Sequence, residues 1–223
     1  MNAEEFWLAS TWPFVEASLP SPPARVLEIG CGPLGGFVPE LLARGYDAVG
    51  VDPLAPATAG YAQSTFEEYE PAQRLEAVVA STSLHHVTDL GAVVDRIADV
   101  LTPLGVLVVV EWSWEQFDEA TARWCFARLP DSAETGWLAH HRRDWAASGD
   151  PWDAYLSGWA RGHHLHSSTD IVQELDRNFD RQSLAGGPYC FQDLEHTSPD
   201  DEQAAIDAGT IQPTCVRYLG QRS

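Results

Sequence analysis

The chain contains no lysine. Its 13 basic side chains are all arginine, set against 33 aspartates and glutamates, which gives a formal net charge of -20 and an isoelectric point near 4.5. A surface this acidic repels phosphate backbones and anionic headgroups, and the arginines are scattered, so neither nucleic acid nor a membrane is an expected partner. Long apolar runs are also missing, none approaching the about 20 residues that span a bilayer. Cysteine is sparse. Cys31, Cys125, Cys190 and Cys215 stand far apart with no C-x-x-C pair. The opening residues lack the basic and then apolar character of a secretory leader, so reduced thiols in the cytoplasm are the expectation. No internal repeat or low-complexity stretch interrupts the chain.

What the sequence does have is concentrated between residues 25 and 52. The strand-like run Arg25-Val26-Leu27-Glu28-Ile29 leads directly into Gly30-Cys31-Gly32-Pro33-Leu34-Gly35-Gly36. A helix-length segment from Phe37 to Arg44 follows, and a second apolar run ends at Asp52. This is one βαβ unit with a nucleoside-binding layout: the glycines let the backbone turn sharply against a ligand, and Asp52 stands where a carboxylate accepts hydrogen bonds from ribose hydroxyls. Gly30, Gly32 and Gly35 satisfy G-x-G-x-x-G, so an NAD(P)-dependent oxidoreductase is one reading. Glu28 opposes it, since it would bring a negative charge close to a pyrophosphate, and Pro33 with Gly35-Gly36 makes a loose loop. A cationic or zwitterionic ligand suits that charge better.

With Glu28 two residues ahead of Gly30-Cys31-Gly32 and Asp52 closing the second strand, the sequence resembles the class I S-adenosylmethionine (SAM)-dependent methyltransferases. The resemblance extends over about residues 3–220. Residues 77–87 look like the family's fourth strand and following loop, 89–101 like the next helix, and 101–111 like the fifth strand. Pro188-Tyr189-Cys190-Phe191 and 213–220 resemble the last two strands. The fold this implies is one α/β domain, a doubly wound, mostly parallel seven-stranded sheet with one reversed strand near the carboxyl end. The cofactor it implies is SAM, contacted by Glu28, Gly30, Cys31, Gly32, Asp52 and Ser81. Ser81 stands where many members carry Asp or Asn, so the contact there is expected from backbone. Ahead of the sheet, residues 2–19 read as an amphipathic helix broken or bent at Pro13, and family members often use such a helix to cover the cofactor.

Residues 112–168 are too long for a plain strand-to-helix connection and hold seven of the nine tryptophans. Helical stretches at about 116–129, 136–148 and 153–162 predict a small cap, which must begin at the carboxyl end of the fifth strand, where ligands of open α/β sheets bind. Most of its tryptophans are expected to be core. Trp112 and Trp114 are the candidates for lining a flat, apolar acceptor pocket. His140, His141, His163, His164 and His166 lack the ligand spacing of known zinc families, and no metal is assigned. His85, in the loop after the fourth strand, is the candidate general base, with a structural place at a helix start as the competing reading. The expected activity is methyl transfer to a small aromatic or polycyclic metabolite. A scaffold that binds SAM without methylating remains the alternative from another class.

Overall fold

A computed structural model of the chain describes residues 2–130 and 135–222. Among the described residues, seven strands form one sheet: β1 (Arg25–Ile29), β2 (Asp47–Val51), β3 (Tyr61–Ala62), β4 (Leu75–Ser81), β5 (Leu101–Trp112), β6 (Phe179–Gly187) and β7 (Cys215–Arg222). Their order is β3-β2-β1-β4-β5-β7-β6. The first five pair in parallel, and β7 runs antiparallel to both β5 and β6.

The period-2 alternation of the central strands explains why both faces are covered. Val78 and Ala80 of β4, with Leu107 and Val109 of β5, point to one face, against α3 (Leu90–Val100) and α7 (Ser168–Asn178). Ala77, Val79, Val108 and Val110 point to the other, against α1 (Ala3–Ser18) and α2 (Val38–Ala43). Strands buried on both sides read as near-continuous apolar runs, as these do. The sheet is therefore doubly wound, as the resemblance implied. The winding reverses between β1 and β4, which opens a crevice at their carboxyl ends.

Two local expectations change. α1 runs unbroken through Pro13: its buried face of Trp7, Thr11, Trp12 and Val15 holds it, and Asn2 and Glu5 form a capping box at its start. The sixth strand does not lie at Pro188–Phe191. The N–H groups of Tyr189, Cys190 and Phe191 all donate to the buried carboxylate of Glu202 in α8 (Pro199–Asp207), so they have none left for a ladder, and Cys190–Asp193 closes as a 3₁₀ turn. β6 instead uses the polar stretch 179–187.

Between β5 and α7 lie the cap helices α4 (Glu119–Phe126), α5 (Trp137–Ser148) and α6 (Trp152–Gly162). The cap has its own core of Phe117, Cys125, Leu138, Trp152 and Leu156, joined to Trp112 and Cys190. No helix among the described residues is long and apolar enough to cross a membrane.

Candidate active site

The crevice holds two adjoining cavities. The larger, about 330 Å³, lies beyond β1 and β2 and is lined by Gly30, Asp52, Phe66, Ser83 and His86 among others. The smaller, about 140 Å³, lies between α1 and the glycine loop and is lined by Glu4, Trp7, Glu28, Cys31, Ser81 and Tyr189 among others. Gly30 and Thr82 border both. The pair forms an elongated, bent site with one half beside a strand-end carboxylate and the other beside a buried one.

Asp52 follows β2 directly, and its Oδ1 accepts the Leu54 N–H (2.7 Å), which fixes the carboxylate at the rim of the larger cavity with acceptor capacity to spare. Gly30 has φ +81°, and a Cβ there would stand 2.5 Å from Ser83 Cβ, so the loops after β1 and β4 can touch only if this residue is glycine. Gly32, at φ +61°, lines neither cavity. Cys31 is buried and its thiol is pushed up to about 12 by burial, which keeps it an unreactive wall. Ser81 is buried at the end of β4, and it is its carbonyl that meets the loop, 2.9 Å from the Cβ position on Gly30.

Glu28 is 1% exposed. Its Oε2 accepts the Phe37 N–H (2.7 Å) at the start of α2, while Oε1 is buried with no partner. Gly36 (φ +56°) leaves the space in which that oxygen sits, since a Cβ there would stand 2.3 Å away. Burial pushes the carboxyl up to about 8. An orphaned acceptor in a small cavity calls for a ligand that donates hydrogen bonds and carries positive charge. The residues present therefore fit SAM: the spare acceptors of Asp52 and the unpartnered oxygen of Glu28 suit a ligand that carries ribose hydroxyls and an ammonium group.

The loop after β4 carries a further device. Glu111, fully buried near the end of β5, accepts the N–H groups of Ser83 (2.7 Å) and Leu84 (2.6 Å) on Oε1 and His85 Nδ1 (2.5 Å) on Oε2. A carboxylate that accepts the hydrogen bond of Nδ1–H fixes the imidazole tautomer and leaves Nε2 as the nitrogen with a free lone pair. His85 is 5% exposed, and its ring meets Trp112 edge-on at 6.4 Å. Trp112 stacks on Tyr189 (6.3 Å, 19°), which itself lines the smaller cavity. Neither His85 nor Trp112 lines either cavity; packed rings run from Tyr189 at the smaller cavity through Trp112 to His85. Most indole N–H groups of the cap are spoken for: Trp152 donates to the Phe117 carbonyl, Trp137 to Asp193 and Trp145 to the Asp150 carbonyl. That of Trp112 is buried without a partner. Trp114 donates to the His166 carbonyl (3.0 Å), tying the end of β5 to the start of α7.

Two of the other histidines, His141 and His163, bond within the cap, and His166 ties the start of α7 to the loop after β4. His141 bonds the Tyr155 hydroxyl (2.9 Å) and is lowered to about 4 by burial; His163 bonds the Trp159 carbonyl, and His166 the Val87 carbonyl. His86 lines the larger cavity, and burial, then the neighbouring His85, lowers it. Sequence reasoning missed Glu111 and Thr82. Thr82 is a β-branched residue at φ +45°, a strained backbone of the kind that concentrates at functional sites.

The family model described as a methyltransferase domain matches residues 7–180. A ubiquinone biosynthesis O-methyltransferase from Rhodopseudomonas palustris is 29% identical over 167 residues, covering 67% of this chain and 59% of that protein. One of the same name from Bradyrhizobium is 38% identical over 109 residues, 42% of each. The chain thus spans about three fifths or less of the length of these relatives. Among solved structures, an S-adenosylmethionine-dependent methyltransferase from Mesorhizobium loti superposes with a TM-score of 0.57 at 17% identity, covering 96% of this chain and 98% of that one. The N-methyltransferase NodS from Bradyrhizobium japonicum, in complex with S-adenosyl-L-homocysteine (SAH), gives 0.53 at 13% identity, covering 96% and 86%.

Proposed function

The chain belongs to the methyltransferase-domain family, with SAM as its cofactor, and from that premise we propose that it methylates a hydroxyl group on a small aromatic acceptor. The observation that carries this reading is the His85–Glu111 pair set beside the aromatic wall of Trp112 and Tyr189. The relatives named O-methyltransferase support the choice of oxygen.

When bound, the cofactor supplies a methyl group already activated on a sulfonium. The protein's part is therefore to align the acceptor, exclude water and manage one proton. Glu28 would hold the cofactor by its ammonium group and Asp52 by its ribose, and the glycine loop would let backbone approach it. Tyr189 offers an aromatic ring at the smaller cavity, and Trp112, buried behind it, backs that ring and keeps its partnerless indole N–H within the wall. His85 Nε2 takes the hydroxyl proton, and Glu111 holds the ring in register and steadies the imidazolium that results.

His85→Ala tests the role of the base. With a phenolic acceptor, turnover near pH 7 should fall on the order of 10²-fold or more, and the deficit should shrink toward pH 10, where the phenol ionises unaided. Stopped-time assays across that range, with SAH affinity measured alongside, decide it. A deficit equal at every pH would remove His85 from proton transfer. A protein that binds SAH and methylates no phenol or catechol would be a cofactor-binding scaffold instead.

A further inference from the structure

Glu4 sits in the first turn of α1, at the mouth of the smaller cavity whose floor holds Glu28. Its Oε1 lies 3.6 Å from the place a Cβ on Gly32 would occupy, so the side chain leans over the glycine loop and not out along the helix. Among the described residues no cation pairs with it, and burial, then the charge of Glu5, raises its pKa. Glu5 is engaged elsewhere, accepting the Asn2 N–H in the capping box. Among the described residues, no arginine or histidine lines this cavity. Two carboxylates therefore face one small space, one of them with a buried oxygen that has no partner.

We propose that Glu4 is a second carboxylate ligand for the α-ammonium group of the cofactor, so that this group is held between Glu28 on the sheet side and Glu4 on the helix side. The proposal rests on the reading of the crevice as a SAM site. It follows from the donor set: two carboxyl groups line one cavity, Glu28 with a buried oxygen that has no partner, and an ammonium group is a donor that both can accept and that favours the ionised form of each. The alternative use of an acidic residue at a helix start, interaction with the positive end of the helix dipole, needs no ligand.

Calorimetry on the full chain separates the two, using SAH, which carries the ammonium, and 5′-methylthioadenosine, which lacks the amino-acid end. Glu4→Gln keeps the shape and removes the charge, and circular dichroism confirms that α1 persists. The variant should bind SAH about three- to ten-fold more weakly, as for a charge-assisted contact at a partly exposed position, and bind methylthioadenosine within two-fold of wild type. Added salt should weaken SAH binding more steeply in the wild type than in the variant. Unchanged or tighter SAH binding by Glu4→Gln would overturn the proposal, and so would an equal loss for both ligands, which would make Glu4 a prop of the helix. Failure of the wild type to bind SAH would bring down the reading of the crevice itself.

Discussion

Burial pushes the Glu28 carboxyl up to about 8 from the 4.5 of a solvated side chain. Between those two values the folded chain keeps a proton that the unfolded chain has released, so this residue makes stability fall as pH rises through the window. Glu28→Gln should remove that slope. The melting temperature of the unliganded variant should match wild type near pH 5 and exceed it at pH 8, by about 2–4 °C for each kcal/mol in a chain of this size. SAH should raise the melting temperature of the wild type more than that of the variant, and scanning calorimetry at the two pH values reads all of this. The residues that this argument needs were legible in sequence because their constraints are local: Gly30 must turn, and Glu28 and Asp52 fall at fixed offsets from strand ends. Glu111 was not. It reads as the polar end of an apolar strand, and its role exists only because the loop after β4 folds back onto it, 26 to 28 residues away in the chain. Thr82 was hidden for a related reason, since nothing in its chemistry announces a left-handed backbone.

Among the elements, the three helices between β5 and α7 follow patterns present in the sequence. α5 and α6 lie within a residue of the expected bounds and end at Gly149 and Gly162, while α4 starts and stops three residues inside the expected 116–129, with Ala127 as its cap. β6 shows the opposite case. It is exposed at every position from 180 to 186, so it has no alternating pattern to read, whereas the aromatic Tyr189 and Phe191 imitate a strand while their N–H groups serve Glu202. The cap is held by its own aromatic core, centred on Trp152, which is 1% exposed and donates to the Phe117 carbonyl. Trp152→Ala should cost about 3–5 kcal/mol. Because that core is separate from the two that flank the sheet, the loss should appear as faster amide exchange in α4, α5 and α6, with the amides of β1, β4 and β5 as protected as before. Uniform loss of protection would make the cap and sheet one cooperative unit.

For the molecule as a whole, the net charge of -20 is the dominant long-range term. Like charges spread over one small domain repel in the compact state, and salt screens them over about 10 Å at 0.1 M. The melting temperature should accordingly rise as sodium chloride is increased from about 10 mM to 0.5 M, and a flat response would mean that local pairs such as Arg25 with Glu76 balance the surplus. The packing of the aromatic wall has a different consequence, an optical one. Trp112 lies 5.1 Å from Trp137 and 5.9 Å from Trp159, with the rings edge to face. At such separations excitation passes between indoles faster than any of them emits, so fluorescence from this region belongs to the group and not to a single tryptophan. An aromatic molecule settling against Tyr189, on which Trp112 stacks, would then dim the whole group at once, so native fluorescence would report the binding of an acceptor of the kind proposed.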